Sequence, residues 1–476
     1  MTTMIKQNFK KIACSIGLLG LLGNGLAVQA QASDAVIIGP IEAMPHSNSS
    51  HNSIYSASAI ELTANGYIEQ EYFFQGTANR YTTEGLETGE IVDSGHPYRS
   101  RLIVRRPESA ADFNGSVIIE WLNVTGGTDK DIDWWFSGRH MIRNGYAYIA
   151  VSAQRQGIDS LKEWGPDRYG DLDVTHDGMV QNDALSYDIF SAVAKAVTRN
   201  DQRPIPGQVD ILGGLRADKI IATGHSQSAS RLANYFNNIH PLDPVFDGAM
   251  IHGGGGRIRD DQNVRIFKIM AETDMPRRAA TPQPDTDYFR QWELAGTSHV
   301  DVDFDLEFAR MRLLINGEPP ENAVVRDQQC TLPTLSRVSF RDAMNAAYEH
   351  LAKWVDDGTL PPVAPRLKVA RMLPRLEFAR DEFGNILGGI RLADHAVATA
   401  TNTGMNSSGG GGSRFCGLYG SHHPFDEATL RNLYPTHEGY VDAVRAVVEE
   451  NLAGGYILPY AAEKTIREAE QSNIGR

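Results

Sequence analysis

Three things that this sequence lacks limit what it does. Only three of its 476 residues are cysteines, which excludes a scaffold held together by many disulfides. No cluster of lysines and arginines offsets the net charge of −14, so we expect no nucleic-acid partner. No apolar run reaches the roughly 20 residues of a membrane-spanning helix, so we expect no stable membrane anchor. The remaining composition, 41% hydrophobic, is typical of a globular protein with a well-filled core.

The sequence also lacks the short motifs of metal and cofactor sites. It contains no HExxH, no CxxC, no Walker loop and no dinucleotide-binding glycine motif. The glycine run at 409–412 has no lysine after it, and the acidic stretch at 171–178 lacks the ligand spacing of an EF-hand. We therefore expect neither a metal ion nor another cofactor.

Residues 1–32 have the composition of a secretory signal peptide. Lysines precede an apolar stretch, and the small residues Ala30 and Ala32 follow it. A membrane anchor is the alternative, but Asn24 and several glycines interrupt the apolar stretch. We expect cleavage after Ala30 or Ala32 and a soluble product that is secreted or periplasmic.

The pairing of the cysteines follows from the predicted export. Cys14 is removed with the signal peptide, which leaves Cys330 and Cys416 in a chain bound for an oxidising compartment. A disulfide between them would close a long loop, which the chain-entropy model values at about 4 to 5 kcal/mol. The alternative is a pair of buried free thiols.

From about residue 98 the sequence alternates short β-branched runs with longer amphipathic stretches. Near-continuous apolar strands that alternate with helices are typical of a parallel sheet covered on both faces. We therefore predict an α/β fold with a mostly parallel central sheet and helices on both of its faces. The predicted strands are 98–106, 115–124, 145–153, 218–224, 246–253, 264–272 and 289–296. The predicted helices of this core are 133–144, 182–200, 228–239 and 339–358.

The sequence divides the chain into four parts. The signal peptide, residues 1–32, precedes an N-terminal segment with the first strands, residues 33–97, and the α/β core, residues 98–360. Residues 361–476 form a C-terminal α+β extension that we expect to pack on the core. The extension contains a predicted β-hairpin around 381–385, a glycine-rich loop and two helices.

The stretch GHSQSAS, residues 224–230, joins a predicted strand to a predicted helix. A sharp strand-to-helix turn admits only small residues on either side of its central serine, and Gly224 and Ser228 are small. Such a turn lifts the serine above the sheet, so Ser226 is the candidate nucleophile. Ser228 replaces the usual glycine but is small enough for the turn. The alternative is an ordinary turn with an incidental serine.

Two further residues follow strands that are predicted to lie in the same sheet. Asp274 follows the strand 264–272, and His299 follows the strand 289–296. A serine hydroxyl needs a base, and an imidazole is an effective base when a buried carboxylate orients it. The order Ser226, Asp274, His299 therefore predicts a catalytic triad at the carboxyl ends of strands.

Other acids and histidines lie near these residues in the sequence. Glu272 is the alternative acid, because it stands two residues before Asp274; we favour Asp274, which lies deeper in the loop. His225 and His252 have no suitable carboxylate downstream. We interpret them as packing or pocket residues rather than as the base.

Together these motifs resemble the α/β-hydrolases. Residues 98–358 look like an α/β-hydrolase core. The stretches EWLNVTGG, VSAQ, GHSQSA, ELAGTSHVD and LYPTHEGYV are similar to a poorly characterised family of secreted bacterial α/β-hydrolase domain proteins. The resemblance implies a serine ester hydrolase with Ser226 as nucleophile, Asp274 as acid and His299 as base. It implies no particular substrate.

Ester cleavage by such a site also requires donors for the developing oxyanion. We expect one donor to be the backbone N–H of Gln227, which follows the candidate nucleophile. By fold analogy the other comes from Asn123 or Val124, where Gly126 and Gly127 allow the loop to fold back. The alternative for this loop is an ordinary glycine turn.

The sequence leaves too few residues for a lid at the position where many hydrolases carry one. Many hydrolases insert a cap between the strands that correspond to 246–253 and 264–272, but here the connection is too short for a folded cap. The candidates for a lid are therefore 155–182, 300–338 and the chain after residue 360.

We therefore expect a secreted serine hydrolase that cleaves carboxylic esters, with either a small-molecule or a polymer substrate. The same triad serves lactonases, amidases and acyltransferases, and the sequence does not separate these activities. The alternative in another class is a catalytically silent hydrolase fold that acts as a secreted binding protein. The intact order of serine, acid and histidine argues against it.

Overall fold

A nine-stranded sheet organises the part of the chain that the computed structural model describes. The described residues are 34–42, 51–202, 207–277, 282–325, 329–374, 376–409 and 413–476, so the predicted signal peptide and Cys14 lie outside them. The strands are β1 (Val36–Ile41), β2 (Tyr67–Tyr81), β3 (Ile91–Pro107), β4 (Ser116–Trp121), β5 (Ala147–Val151), β6 (Lys219–His225), β7 (Gly248–His252), β8 (Arg265–Ala271) and β9 (Phe289–Leu294). Across the sheet they lie in the order β1-β2-β3-β5-β4-β6-β7-β8-β9.

The sheet is mostly parallel, as predicted. Strands β4 to β9 run parallel to one another, whereas β1, β2 and β3 form an antiparallel edge that joins this part of the sheet through the antiparallel pair of β3 and β5. All six residues of β4 are buried, which is expected of a strand covered on both faces. Because the strands β6, β8 and β9 are parallel, their carboxyl ends meet at one edge of the sheet. The loops that carry the candidate triad therefore share that edge.

Helices cover both faces of the sheet. They are α1 (Ile132–Arg143), α2 (Arg155–Trp164), α3 (Pro166–Tyr169), α4 (Ser186–Ala196), α5 (Gln227–Asn234), α6 (Val302–Ile315), α7 (Phe340–Asp357), α8 (Ala393–Ala396), α9 (Cys416–Tyr419), α10 (Glu427–Leu433), α11 (His437–Ala453) and α12 (Pro459–Gln471). One core contains Phe190 of α4 and Leu232 of α5, and the other contains Trp134 of α1 and Leu351 of α7. No helix in the described ranges is both long and apolar enough to cross a membrane.

Two buried arginines on β3 anchor the loop that follows β4. Nη2 of Arg101 lies 3.7 Å from Oδ2 of Asp129, and Nη1 of Arg105 lies 2.5 Å from Oδ2 of Asp131. Both guanidinium groups are fully buried, and a buried charge is tolerated when it is paired. The two pairs hold the loop on either side of Lys130.

The C-terminal extension meets the core along β9. The Ile390 N–H donates to the Glu293 carbonyl at 2.8 Å, and the Ala295 N–H donates to the Ile390 carbonyl at 3.0 Å. The helices α11 and α12 occupy the two stretches for which the sequence predicts helices. Four further strands belong to the extension, paired two by two: β10 (Val369–Arg371) with β11 (Glu377–Phe378), and β12 (Ala400–Thr403) with β13 (Ser421–Pro424).

The predicted hairpin around 381–385 is only partly correct. The turn exists, because the Asp381 N–H donates to the Asn385 carbonyl at 2.9 Å. The chain before the turn contains β11, which pairs with β10, and the two arms of the predicted hairpin pair with each other only at the isolated bridge of Arg380 with Ile386. Gly388 and Gly389 both have positive φ angles, 76° and 68°, which interrupt the extended backbone after the turn.

Candidate active site

Ser226 stands at the turn between β6 and α5. Its backbone has φ 61° and ψ −109°, a conformation that residues with side chains rarely adopt. A Cβ atom on Gly224 would lie 3.0 Å from Cβ of Ser228, and a Cβ atom on Gly254 would lie 2.5 Å from the Ser226 carbonyl oxygen. The turn therefore requires the small residues that surround Ser226 in the sequence and in space.

His299 and Asp274 form a buried hydrogen-bonded pair at the same edge of the sheet. Nδ1 of His299 lies 2.6 Å from Oδ1 of Asp274, and their side chains are 7% and 6% exposed. The other carboxylate oxygen accepts the Ala271 N–H at 2.8 Å, which fixes Asp274 against the end of β8. Because Nδ1 faces the carboxylate, Nε2 of His299 is the nitrogen left for a reacting group. Ser226 and His299 line one cavity.

Glu272, the alternative acid, contacts other groups. Its Oε1 lies 2.6 Å from Nη2 of Arg380, and its Oε2 accepts the Gly296 N–H at 3.1 Å. Burial raises the pKa of Glu272, although Arg380 opposes that shift. These contacts tie the end of β8 to the C-terminal extension. Of the two acids, Asp274 is the one that the structure places on His299.

The predicted oxyanion donors differ in what they contact. Gln227 is the first residue of α5, so its N–H has no partner within the helix. The Asn123 N–H is already used, because it donates to the Lys130 carbonyl at 3.0 Å. Nδ2 of Asn123 donates to the His225 carbonyl at 2.8 Å. Asn123 therefore ties the loop after β4 to the turn that carries Ser226.

Val124 is the other residue proposed for the oxyanion loop. Its N–H donates to no acceptor within the described ranges, although Val124 itself does not line the cavity. Its neighbours Thr125 and Gly126 do line it. The loop 123–126 therefore reaches the cavity beside Ser226. In the sequence-based prediction, the other backbone donor is the Gln227 N–H.

His225 lies between two other imidazoles. Its ring centroid is 4.3 Å from that of His252 and 4.3 Å from that of His299. Neither of its ring nitrogens has a hydrogen-bond partner among the described residues. Burial, and then the neighbouring histidines, lower the pKa of His225 well below its usual value. His252 bonds through Nδ1 to Asp133 at 2.9 Å. Both residues therefore occupy packed positions behind the candidate base.

A cavity of about 370 Å³ adjoins Ser226 and His299. Two segments outside the sheet help to line it: α6, and the stretch 413–419 of the C-terminal extension. We call these two segments the roof, and we call Ser226, Asp274 and His299 the floor. The remaining lining residues are Asn123, Thr125, Gly126, Lys130, Ile132, His225, Val300, Phe304, Asp305, Phe308, Ser413, Phe415, Leu418 and Tyr419.

The roof comes from two of the three regions that the sequence offers as a lid. Residues 300–338 supply α6, and the chain after residue 360 supplies 413–419, whereas no described residue of 155–182 lines the cavity. Helix α6 itself is not predicted, because Asp305 and Glu307 lie buried within it and obscure its apolar face. The four-residue spacing of two phenylalanines in α6 is the signal that would have indicated a helix.

A disulfide joins the roof to the chain that follows α6. Cys330 and Cys416, 86 residues apart, are bonded, and Phe415 beside the second cysteine lines the cavity. The Val300 N–H also donates to the Leu418 carbonyl at 2.9 Å. The disulfide therefore holds the stretch 413–419 to the chain that follows α6, and the hydrogen bond holds it to the loop that carries His299.

Solved structures with a similar fold are remote in sequence. A putative dienelactone hydrolase from Klebsiella pneumoniae subsp. pneumoniae MGH 78578 is 15% identical, with 46% of this chain and 85% of that chain covered and a TM-score of 0.24. The rice cell wall degrading esterase LipA from Xanthomonas oryzae is 11% identical, with 46% and 49% covered and a TM-score of 0.23. A glucuronoyl esterase from Solibacter usitatus is 10% identical, with 47% and 76% covered and a TM-score of 0.25.

No curated protein matches the sequence. A family model described as an alpha/beta hydrolase domain matches residues 39–467. That match spans the sheet, the floor, the roof and most of the C-terminal extension. This chain belongs to the alpha/beta hydrolase domain family.

Proposed function

We propose that this protein is a secreted serine hydrolase that cleaves carboxylic esters through an acyl-enzyme. The observation that carries the proposal is the hydrogen-bonded pair of His299 and Asp274, because its histidine lines one cavity with Ser226, a serine held at a positive-φ turn. An incidental serine would need neither the glycines around it nor a histidine oriented by a buried carboxylate. The composition of residues 1–32 and the disulfide support export to an oxidising compartment.

In the proposed reaction Oγ of Ser226 attacks the ester carbonyl carbon while Nε2 of His299 takes the hydroxyl proton. The oxyanion of the tetrahedral intermediate meets the Gln227 N–H and a donor from the loop 123–126. The intermediate collapses, and the leaving alcohol takes the proton from His299. A water molecule then attacks the acyl-enzyme with His299 again as base, which frees the acid and restores Ser226. Asp274 orients the imidazole and stabilises its charged form.

Lactones, amides and acyl acceptors other than water would use the same groups, and these reactions remain alternatives within one class. The alternative in another class is a binding protein that keeps the fold without the reaction. A fluorophosphonate phosphonylates the oxygen of an activated serine and releases fluoride. An activated serine therefore reacts with it, whereas a serine in a catalytically silent fold does not.

The test is the intact mass of the protein without residues 1–32 after treatment with a fluorophosphonate. Ser226→Ala removes the candidate nucleophile, and Ser230→Ala is the matched control, because Ser230 is exposed one helical turn away. We expect a single adduct on the wild type and on Ser230→Ala, and none on Ser226→Ala. A folded wild-type protein that takes no adduct, or an adduct that persists in Ser226→Ala, would contradict the proposal.

A further inference from the structure

The cavity beside Ser226 has aromatic walls. Phe304 and Phe308 of α6 line it together with Phe415 and Tyr419 of the stretch 413–419, and no arginine of the described chain lines it. Ligand pockets for small molecules range from roughly 300 to 1,000 Å³. A cavity of about 370 Å³ is at the small end of that range, which is the size of a small ester.

Apart from His225, His299 and Tyr419, the ionisable side chains that line the cavity are Lys130 and Asp305. Nζ of Lys130 donates to the Thr125 carbonyl at 3.0 Å, to the Thr128 carbonyl at 2.9 Å and to the Thr128 hydroxyl at 3.0 Å. An ammonium has three hydrogens, so these contacts use all of them. A carboxylate on a substrate would therefore lose its water without gaining the lysine.

We propose that this cavity takes a small, uncharged ester with an aromatic group and rejects esters that carry a carboxylate. The inference rests on the proposed function, because it names the substrate class of that same site. An aromatic ring packs well against other aromatic rings, edge to face or offset, and the roof offers four of them. The neutral ester is then favoured because its ring packs against the aromatic walls. The anionic ester is disfavoured because its buried carboxylate has no partner.

The test compares two esters that differ by little more than a charge, methyl 4-methylbenzoate and monomethyl terephthalate. We expect kcat/KM to be at least about 100-fold higher for the neutral ester, as for other unpaired buried charges. We also expect the neutral ester, and not the anionic one, to slow fluorophosphonate labelling of Ser226, a readout that does not depend on turnover. Equal or reversed preference, or labelling slowed by neither ester, would overturn the substrate class.

The labelling result separates this inference from the proposed function. Labelling of Ser226 without the expected preference would leave the serine hydrolase standing and remove the substrate class, whereas no labelling would remove the proposed function itself.

The contacts of Lys130 carry a second inference of their own. Its three hydrogen bonds run to two residues of its own loop, Thr125 and Thr128. The Lys130 carbonyl accepts the Asn123 N–H, so the loop is closed at its ends as well as bridged across its middle. A lysine that is only 7% exposed and bonded in this way acts as a cross-link.

We infer that Lys130 is a positioning residue that holds the loop 123–128 in place to present a backbone donor to the oxyanion. The pairs of Asp129 with Arg101 and of Asp131 with Arg105 fix the chain on either side of it. Within the loop, the Thr125 N–H donates to Oδ1 of Asn123 at 2.8 Å and the Gly127 N–H donates to the Val124 carbonyl at 3.0 Å, and the cross-link from Lys130 adds three more bonds that fix its conformation. Its loss would misplace a donor that acts only as charge develops on the substrate oxygen, and would therefore lower kcat rather than raise KM.

The charge state of Lys130 gives this inference a pH dependence. Burial lowers the pKa of Lys130 to about 8, although Asp129 beside it opposes the shift. The other ionisable groups at the cavity are Asp305, His225, His299 and Tyr419. Below pH 8 the ammonium keeps three hydrogens and its charge; above pH 8 the amine keeps two hydrogens and no charge. We therefore expect kcat/KM of the wild type to fall as the pH rises through about 8.

Lys130→Met keeps the length of the side chain without its hydrogen bonds, and Lys162→Met is the control, because Lys162 on α2 lies outside the cavity. We expect kcat to fall about 10- to 100-fold in Lys130→Met with KM within about twofold, a smaller loss than the roughly 10²- to 10³-fold for removal of an oxyanion donor itself. We also expect the decline above pH 8 to disappear. Lys162→Met should match the wild type. Unchanged kcat in a folded Lys130→Met variant, or a wild-type profile without the decline, would overturn the inference.

Discussion

The floor and the roof of the cavity are built in different ways. Ser226, Asp274 and His299 each follow a strand of one sheet by a few residues, so hydrogen bonds between neighbouring strands fix their spacing. The roof consists of a helix on a long connection and of the stretch 413–419, which a disulfide holds in place. The difference indicates a division of work. Under the proposed function, the floor carries out the reaction, and the separately anchored roof selects which molecules reach it.

This division makes a general prediction about variants. A change in the floor lowers the rate for every ester by a similar factor, because all substrates use the same nucleophile and base. A change in the roof alters the preference among esters, because it changes contacts with the parts of the substrate that do not react. The following experiments test that contrast, from the largest expected effect to the smallest.

Asp274→Asn is the most damaging conservative change in the floor. An amide at this position cannot stabilise a charged imidazole and favours the wrong tautomer of His299, so we expect kcat to fall about 10³- to 10⁴-fold for all esters. Glu272→Gln is the matched control, because Glu272 is buried two residues away but contacts Arg380 instead. We expect it to lower stability and to leave most of the activity. The reverse order of effects would identify Glu272 as the acid.

Removal of the disulfide tests the anchor of the roof. In the double variant Cys330→Ser, Cys416→Ser we expect the free energy of unfolding to fall by about 2 to 4 kcal/mol. We expect KM to rise several-fold and the preference for small esters to weaken, while fluorophosphonate still labels Ser226. Denaturant titration and ester kinetics measure the two effects. A reducing agent should reproduce them in the wild type and leave the double variant unchanged; a reagent effect on the double variant would contradict this reading.

Phe415→Ala tests a single contact of the roof. Phe415 lines the cavity next to the disulfide, and its loss removes part of the aromatic wall. We expect kcat/KM for an aromatic ester to fall about 10-fold relative to a short aliphatic ester, a size typical of one apolar pocket contact. Leu433→Ala, an exposed apolar residue on α10, is the control. An equal loss of kcat/KM for both esters would contradict the prediction, because it is the effect expected of a change in the floor.

His225→Phe tests the packing beneath the floor and has the smallest expected effect. The pKa of His225 lies well below 6.5 in the folded protein because the ring is buried. The unfolded chain therefore takes up the proton first as the pH falls below about 6.5, and folding loses up to about 1.4 kcal/mol per pH unit. Denaturant unfolding at several pH values should show a shallower loss in His225→Phe than in the wild type or in the exposed control His423→Phe. Equal slopes would exclude His225 as a source of acid sensitivity.

Short-range pattern was enough to predict the sheet and the positions of the floor. The β-branched runs gave the seven core strands, and the order of Ser226, Asp274 and His299 placed each residue after a strand. Such features depend on neighbours in the sequence. The choice between Asp274 and Glu272 depended on a distant residue, because Arg380, 108 positions away, engages the glutamate. No local periodicity reports a contact of that kind.

The roof could not be assembled from the sequence for the same reason. The sequence indicated which segments were available and which cysteines could pair, but not that Phe415 and Phe308 line one cavity. The role of Lys130 was also hidden. A lysine in a loop is usually solvated. Only the structure shows that Lys130 is buried because it donates to the carbonyl of Thr125 and to the carbonyl and hydroxyl of Thr128.

The disulfide at Cys416 has a consequence for the order in which the molecule is made. During synthesis a chain emerges from its N-terminus, and its parts fold as they become available. The sheet and all three residues of the floor are complete by residue 299, whereas the second cysteine of the bridge emerges 86 residues after the first. We therefore expect a newly synthesised chain to pass through a stage in which this edge of the sheet has formed and the stretch 413–419 does not yet cover it. We expect the covalent anchor of the roof to be one of the last features to form, and that step requires an oxidant.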